Sequence, residues 1–519
     1  MSGTSDPSAF TFLPSPARRT RVNTDIVRSI PAGRASLSAV TAVLSRLRRD
    51  HAPMVVLAAM VGTYVGVFGS LTWRQQSNFG TFGFDMGIYD QAIWLLSRFK
   101  DPFVTVRGLE YFGHHVNPIT VLFVPAYWLG AGPHFLYLIE TAWMAAGAIP
   151  VWLFARDRLA SGWGALVLAG AFLLYPSLEW INWWHFHPDA LSIAPLLFAW
   201  WLASRERWRW YAVAAGIALL CKEDAALALF MLGLIVAWRH HRRIGLATSA
   251  IALGWFVLCT RVVIPHANGI GPFYEQFFPG FGTSIGQIFF NAVWHPSRLL
   301  HVASRADRRT YYHQLLEPVG YLPLLGLPAW LLGAPQLVVN VISAHPYTHQ
   351  IRCHYSSVIC AAVFVGTIEL IGRARRVPAL KWGLVGLVGV CSILGNRAWS
   401  PSPIGTQYHS GIWAGPSPRL AAVRAALALV PPRAGVAATY YLVPHLTHRV
   451  HIYEFPNPWM PTNWGLRGEH PPDPRTVDWF VLDTTLNGDH ASLYARLIAP
   501  DGDFRVVFQR DNIVVARRK

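Results

Sequence analysis

Long apolar runs separated by short polar connections fill the chain from residue 54 to residue 396. A helix needs about 20 apolar residues to cross a bilayer, and by that measure the pattern predicts about eleven membrane-spanning helices. The predicted spans are roughly 54–73, 134–155, 163–179, 188–204, 208–222, 223–238, 244–264, 317–332, 334–346, 355–372 and 378–396.

Arginine clusters alternate along these connections and predict the orientation. Basic loops of membrane proteins face the cytoplasm, so the N-terminus is expected there. This places residue 85, residues 185–189 and 222–224, the loops 265–316 and 345–354, and the chain after residue 397 on the outer side. Residues 116–131 are apolar but short, and a crossing there would invert the charge pattern, so they are predicted to form an interfacial helix. The clusters are Arg46, Arg48 and Arg49; Arg156 and Arg158; Arg205, Arg207 and Arg209; Arg239, Arg242 and Arg243; and Arg373, Arg375 and Arg376.

The pattern changes after residue 399. Proline and polar residues become more frequent, and short β-type runs replace the long apolar ones. We therefore predict a small extracytoplasmic α/β domain over residues 398–519. The predicted strands lie near 435–440, 449–453, 478–483, 505–508 and 513–516, with helices near 419–429 and 491–498.

Composition supports a polytopic α-helical membrane protein. Of the 519 residues, 53% are hydrophobic and only 14% are charged, which excludes an ordinary soluble enzyme. The net charge of +17 comes from arginines between apolar runs, so it does not indicate nucleic-acid binding. Five scattered cysteines predict neither a structural disulfide nor a zinc site. The predicted organisation is a disordered basic cytoplasmic tail (1–53), a transmembrane domain (54–397) with outer loops 74–133 and 265–316, and the C-terminal domain.

The segment after the first span carries the first candidate base. Asp85 and Asp90 lie in the run 84–94, and at 100° per residue Tyr89 shares the helix face of Asp85 while Asp90 points about 140° away. Asp85 is a general base or metal ligand in one interpretation and a helix N-cap in the other. Asp90 and Tyr89 are supporting candidates.

Three further polar residues follow on the same predicted outer loop. Glu110, His114 and His115 can assist a base or bind a metal or phosphate. Two histidines without a third ligand at motif spacing are a weak metal signal, and a wet interfacial position is the alternative.

Two polar clusters at later outer turns are candidates for a donor phosphate or a divalent cation. His185 and His187 precede Pro188, which predicts an extended segment leading into a helix, with Asp189 in its first turn. The alternative is an aromatic belt with a polar cap. Lys222, Glu223 and Asp224 interrupt an apolar run, as either a tight turn or a site facing a polar cavity.

The loop before the tenth span predicts a lipid-phosphate contact. Arg352, His354 and Tyr355 lie together at headgroup depth, where a guanidinium attracts an anionic lipid. The alternative for Arg352 is a snorkelling side chain.

The motifs at 84–91, 112–118, 185–190 and 221–225, and more weakly 353–355, resemble a bacterial family of predicted membrane proteins, domain of unknown function 2079. Their order is also similar to that of GT-C membrane glycosyltransferases, which place an acidic motif in the first outer loop. That resemblance implies Asp85 as the base that activates an acceptor hydroxyl and a sugar on a polyprenyl phosphate as donor. The motif lacks the adjacent acidic pair common in that class, which leaves dependence on Mg²⁺ or Mn²⁺ open.

The function predicted first is therefore an integral glycosyltransferase of the cell membrane. It would move a sugar from a polyprenyl phosphate to a cell-envelope glycan, lipid or protein. The alternatives are a transporter or flippase of lipid-linked intermediates and a non-catalytic envelope scaffold. A transporter predicts charges at the midplane of spans and paired broken helices, whereas the charges here gather at the ends of spans.

Overall fold

The computed structural model describes residues 32–460, 470 and 472–519, with side chains from residue 51 onward. Its first helix, Ala32–Ser77, contains an apolar stretch from His51 to Ser77. This helix begins inside the segment predicted to be a disordered tail, so residues 32–53 are helical instead. Residues 1–31 of that predicted tail lie outside the described residues.

Five helices in the described part of the chain are long and apolar enough to cross a membrane. A sixth crossing results if Gly162–Leu173 and Pro176–Trp183, which are bent by 43°, count as one span. Pro176 explains the break, since it cannot donate a backbone hydrogen bond to the preceding turn. The five helices are His51–Ser77, Pro133–Leu159, Arg242–Asn268, His354–Arg376 and Pro378–Trp399.

The predicted number of eleven spans is not confirmed. Three predicted spans are shorter apolar helices, Ala190–Ser204, Trp208–Cys221 and Ala225–Arg239. Residues 317–332 do not form a continuous helix but three separate 3₁₀ turns, Glu317–Val319, Leu322–Leu325 and Ala329–Gly333. Prolines at 318, 323 and 328 interrupt the backbone hydrogen bonding there.

Shorter helices connect or flank these elements. The stretch predicted as an interfacial helix forms a 3₁₀ turn, Pro118–Phe123, that continues into Val124–Trp128 and is too short to span a bilayer. The others are Ile88–Ser97, Tyr111–His114, Ile285–Trp294, Pro296–Ala303, Ala306–Leu316, Ala334–Ile342, Thr406–His409, Leu420–Ala428 and Ala491–Ile498.

Two sheets lie outside the helices. The loop after the first span contains a two-stranded antiparallel hairpin, β1 (Phe103–Val104) with β2 (Leu109–Glu110). The C-terminal region contains a five-stranded sheet made of β3 (Val436–Ala438), β4 (Ile452–Glu454), β5 (Trp479–Asp483), β6 (Phe504–Arg510) and β7 (Ile513–Arg518), in the order β4-β3-β5-β7-β6. Strands β4, β3 and β5 are parallel, while β7 pairs antiparallel with β5 and β6. The five C-terminal strands overlap the five runs in which the sequence predicted strands.

The C-terminal sheet shares a hydrophobic core with the loop after the first span. Side chains such as Met86 and Ile88 belong to the same buried cluster as Val443 and Ile452. Thr105 fixes the register of this contact, since its hydroxyl donates to the Ile452 carbonyl at 2.6 Å and accepts from the Ile452 N–H at 2.9 Å. The sheet is therefore packed against the segment that contains Asp85.

Candidate functional site at the end of the helices

Asp85 lies in a π-helical turn. Residues Gly83–Gly87 form this turn, which leads directly into the helix after it. Such turns are rare and are often found at functional sites. Glycine is required at position 83 because a Cβ there would lie 2.8 Å from Val443 Cβ and 2.9 Å from Glu454 Oε2. Asp85 thus occupies the middle of a turn held by the C-terminal region, not the N-cap position that was its structural alternative.

The Asp85 carboxylate faces an imidazole. Its Oδ1 lies 3.4 Å from Nε2 of His187, and its side chain is 20% exposed while that of His187 is 3% exposed. The Tyr89 ring lies on the same side, with its centroid 5.6 Å from that of His187. Asp85 and Tyr89 therefore share a face, as the helical rotation predicted, and the Asp85 oxygens keep access to a ligand.

Asp90 has a different environment from Asp85. Its side chain is fully buried, and Tyr127 donates a hydrogen bond to Oδ1 at 2.6 Å. The Thr447 hydroxyl donates to Oδ2, and Nε2 of His448 lies 3.3 Å from the same oxygen. Both oxygens are thus occupied by protein groups, and Asp90 connects the segment after the first span to the C-terminal region.

Two side chains of the second long helix position the histidine segment. The hydroxyl of Tyr137 lies 2.6 Å from Nδ1 of His185, and Glu140 accepts the backbone N–H of His187 at 3.0 Å. His185 has a φ of 90°, so the segment turns there instead of being extended as predicted. Burial lowers the pKa of His185 to about 4, although the charge of Asp85 opposes it. His185 is therefore a neutral neighbour of the pair.

His354 joins the same cluster from the loop before the span His354–Arg376. Its ring stacks on His187 with centroids 3.7 Å apart and an interplanar angle of 16°. The Tyr355 ring lies 4.1 Å from that of His354, and the ammonium of Lys222 lies 5.8 Å from the Tyr355 centroid. Segments far apart in sequence thus converge beside Asp85.

Lys222 is already paired within the protein. Its Nζ lies 2.6 Å from Asp189 Oδ1 and 3.5 Å from Asp224 Oδ2. Burial alone would lower the pKa of Lys222, but these carboxylates outweigh it and raise that pKa. Burial raises the pKa of Asp224 to about 7, against the charge of Lys222. To bind a donor phosphate, as the sequence predicted, Lys222 must release the carboxylate of Asp189 or that of Asp224.

Glu223 holds the loop that contains the paired histidines. Its Oε1 lies 2.7 Å from Nδ1 of His115, and its Oε2 accepts the backbone N–H of Val116 at 2.9 Å. Burial lowers the pKa of His115, while the Glu223 carboxylate opposes this shift. Both oxygens of Glu223 are therefore used to position this loop.

Arg107 is a buried cation that the sequence analysis did not single out. Its guanidinium carbon lies 5.9 Å from the ring centroid of Phe84 and 5.3 Å from that of Phe273. The His114 ring stacks on the same Phe273 ring, with centroids 4.7 Å apart. Burial lowers the pKa of His114, and surrounding positive charges lower it further. The sequence offered one signal for Arg107: it is an arginine in a predicted outer loop, away from the arginine clusters that are predicted to be cytoplasmic.

Glu110 interacts with a second carboxylate. It ends β2, and burial together with the carboxylate of Asp101 raises the pKa of Glu110 to about 7. Its supporting role at the Asp85 site stays a prediction.

Arg352 is separated from His354 despite their proximity in sequence. Its guanidinium lies 4.6 Å from a Trp180 ring centroid, and Nη2 donates to Oε1 of Gln407 at 3.2 Å. The cavity it faces has a volume of about 220 Å³, and neither Asp85 nor His187 lines it. The three residues predicted to bind a lipid phosphate therefore lie in two places. Arg352 lines this cavity, whereas His354 and Tyr355 lie beside His187. The lining residues are Trp180, Gln314, Gln350, Ile351, Arg352, Trp399 and Gln407.

The donor set does not fit a resident divalent cation. Within the described ranges, no three His, Cys, Asp or Glu side chains form a group that could hold a metal ion. Asp85 and His187 provide two donors, and Asp189 is engaged by Lys222. We therefore derive no step through Mg²⁺ or Mn²⁺.

One family matches almost the whole chain. A family model described as "Predicted membrane protein (DUF2079)" matches residues 76–515, which include every site residue discussed above. No curated protein matches the sequence.

Two solved structures of ArnT from Cupriavidus metallidurans are similar to the chain. The structure bound to undecaprenyl phosphate has a TM-score of 0.50 and 16% sequence identity, and the match covers 89% of this chain and 97% of that one. The apo structure has a TM-score of 0.44 and 14% identity, with 90% and 98% covered. At these identities the likeness concerns the fold alone, and the first structure supports a GT-C-like arrangement of the helices.

Proposed function

The chain belongs to the DUF2079 family of predicted membrane proteins, and from that premise we propose that it is an integral-membrane glycosyltransferase. Its donor is a sugar on a polyprenyl phosphate, and its acceptor is a glycan, lipid or protein of the cell envelope. The ArnT structure of similar fold contains undecaprenyl phosphate, which supports a donor of this lipid class.

The observation that carries the proposal is the pairing of Asp85 with His187 at 3.4 Å. A general base must reach its proton at hydrogen-bond distance, and the partly exposed Asp85 carboxylate can do so while the buried Asp90 cannot. His187 is fixed through its own backbone by Glu140, so it holds the carboxylate in one orientation.

In the reaction, Asp85 accepts the proton of the attacking hydroxyl. The acceptor oxygen forms a bond to the anomeric carbon of the sugar, and the bond from that carbon to the phosphate oxygen breaks. The polyprenyl phosphate leaves with the electron pair as a phosphate anion. The buried guanidinium of Arg107, which lies 5.9 Å from the ring centroid of Phe84 beside Asp85, stabilises the negative charge of the phosphate through its field and not through direct contact.

The proposal includes an orientation with the N-terminus in the cytoplasm and the C-terminal region outside. In the described part of the chain, five helices are long enough to cross, and the bent pair counts as a sixth. The proposal takes the three short apolar helices between residues 190 and 239 as crossings too, which gives nine, an odd number that puts the two ends of the chain on opposite sides. At one end of the helices Arg158 and Arg239 meet Glu369 at 2.6 Å and 3.7 Å. This basic end is the one expected to face the cytoplasm.

A transfer assay with two aspartate variants tests the function. Membranes are supplied with labelled polyprenyl-phosphate sugars, and the release of polyprenyl phosphate is measured. Asp85→Asn is expected to lower turnover about 10²–10⁴-fold, the usual contribution of a general base. Its melting temperature should stay near that of the wild type, because Asp85 is partly exposed.

Asp90→Asn is the matched comparison. It disturbs a buried hydrogen-bond network, so it should lower the free energy of unfolding by about 1–3 kcal/mol. Its turnover per folded molecule should nevertheless be far higher than that of Asp85→Asn. Near-normal turnover of Asp85→Asn, with loss of turnover in folded Asp90→Asn, contradicts the assignment. Movement of intact lipid-linked sugar across the membrane without phosphate release points to the transporter alternative.

A further inference from the structure

The carboxyl ends of two parallel strands lie against the Asp85 turn. The Tyr440 carbonyl, just after β3, accepts the N–H of Gly83 at 2.9 Å, and the Tyr440 ring lies 5.4 Å from that of Phe82. Glu454, the last residue of β4, is only 4% exposed and places Oε2 against Gly83. In α/β sheets, ligands bind outside the carboxyl ends of parallel strands where the strand order reverses, as it does here around β3.

Glu454 therefore brings a second carboxyl group to the site from another part of the chain. Burial raises the pKa of Glu454 well above its usual value, and the charge of Asp85 raises it further. Tyr440 is a titratable neighbour of Glu454, and the pKa of Tyr440 is raised by burial first and then by the charges of Glu454 and Asp483. Burial and the charge of Asp85 therefore both favour the protonated form of Glu454.

We propose that Glu454 is a positioning residue of the Asp85 site that acts as a neutral carboxylic acid, so that the negative charge beside the reacting hydroxyl rests on Asp85. This inference rests on the proposed function. Loss of the Glu454 proton places a second negative charge beside the turn that contains Asp85, close to the anionic donor, and like charges repel. The C-terminal sheet is thus a part of the site and not a separate appendage.

The pH profile of donor use tests this role. In the wild type, the apparent KM for the polyprenyl-phosphate sugar should rise at alkaline pH as Glu454 loses its proton. Glu454→Gln cannot ionise and keeps the shape of the acid, so its KM should lack this alkaline rise. Glu454→Ala should lose turnover at neutral pH, and Glu454→Gln should restore most of what alanine loses. An alkaline rise that is unchanged in Glu454→Gln overturns the proposal.

An infrared difference spectrum gives a readout that needs no substrate. Wild type minus Glu454→Gln should show the C=O stretching band of a protonated carboxyl group at neutral pH. The band should titrate at lower pH in Asp85→Asn, because the charge that raises the pKa of Glu454 is removed. Absence of the band at neutral pH, or a midpoint that Asp85→Asn leaves unchanged, overturns the inference.

A glycine variant tests the close approach of the two segments. Gly83→Ala adds a methyl group that meets Glu454 Oε2 and Val443, so it should lower turnover by about 10²-fold through displacement of the Asp85 turn. Gly62→Ala is the matched control, since a methyl group there meets open space. If the two variants have equal turnover, the contact of Gly83 with Glu454 and Val443 does not support catalysis, and the proposal is contradicted.

Failure of this inference can be told from failure of the proposed function. If wild-type membranes release no polyprenyl phosphate from any donor, the glycosyltransferase assignment fails, while the infrared band still decides the protonation of Glu454. If wild type is active and Asp85→Asn is not, an alkaline rise in KM that is unchanged in Glu454→Gln rejects only the role of Glu454 and leaves the proposed function standing.

Discussion

Single residues in this site are distinguished by the partners that surround them. Asp85 and Asp90 belong to the same short segment, but Asp85 faces one imidazole and retains exposure, whereas Asp90 receives hydrogen bonds on both oxygens. A carboxylate that is fully satisfied by the protein has little capacity to bind or deprotonate a ligand. The same argument separates Lys222, which is neutralised by Asp189, from Arg352, which lines a cavity.

Arg352 lines a cavity apart from Asp85 and His187, so we expect it to attract the anionic donor on its way to the site and not to contact the phosphate during transfer. Arg352→Ala should therefore raise the apparent KM for the donor more than it lowers kcat, because long-range attraction by a cation acts on the encounter and not on the chemical step. Steady-state kinetics with a polyprenyl-phosphate sugar measure both. Arg475→Ala is the control, because Arg475 is 89% exposed in the C-terminal region. Unchanged donor dependence in Arg352→Ala would assign the cavity of about 220 Å³ to another ligand.

At the scale of elements, the site is assembled from connections and not from one helix. The π-helical turn Gly83–Gly87 supplies Asp85, the turn before Ala190–Ser204 supplies His187, and the start of His354–Arg376 supplies His354. Helix ends and turns leave backbone groups available and can place a side chain at an unusual angle. The tie between Asp90 and residues 447–448 then fixes the first of these elements to the C-terminal region.

The tie through His448 should depend on pH. Burial alone would lower the pKa of His448, but the charge and hydrogen bond of Asp90 outweigh it and raise that pKa above its ordinary 6.5. A raised folded-state pKa means that the stabilisation is complete below the ordinary value and is lost as pH rises through the raised one. His448 is partly exposed, so the contribution should be small, about 0.2–1 kcal/mol.

Thermal unfolding of wild type and His448→Gln across a pH series measures this contribution. The wild type should melt higher on the acidic side, and the difference should shrink toward zero as pH rises past the raised pKa of His448. A difference that grows with pH contradicts the assigned pair.

At the scale of the whole molecule, the predicted outer connections meet at one end of the helices and the basic connections at the other. The first set contains Asp85, His187 and Lys222, and the second contains Arg158 and Arg239. Such a separation is what a membrane imposes, because charged groups are costly within hydrocarbon.

Labelling with a membrane-impermeant thiol reagent tests the orientation. In a variant with Cys391→Ser, Leu486→Cys should react in intact cells because Leu486 is 48% exposed in the C-terminal region. Arg375→Cys, in the basic connection between the last two long helices, should react only after the cells are opened. The reverse result would invert the orientation and move the site to the cytoplasmic face.

The hydrophobic pattern was sufficient to locate most helices and all five C-terminal strands. Where it failed, a local backbone effect outweighed the apolar character of the segment. Residues 317–332 are apolar enough for a span, yet three prolines break them into 3₁₀ turns. The segment around His185 was predicted to be extended but turns instead. Tyr137 holds the His185 side chain, and Glu140 accepts the backbone N–H of His187.

The sequence by itself determined that this is a multi-span membrane protein and which motifs hold its ionisable residues, because burial in lipid demands long apolar runs and confines charges to connections. It also separated Asp85 from Asp90 by helical rotation. Only the tertiary structure decided that His187 and His354 face Asp85, that Arg352 does not, and that Glu454 joins the site. The physical reason is that these contacts join residues distant in sequence, whose proximity depends on how the helices and the sheet pack.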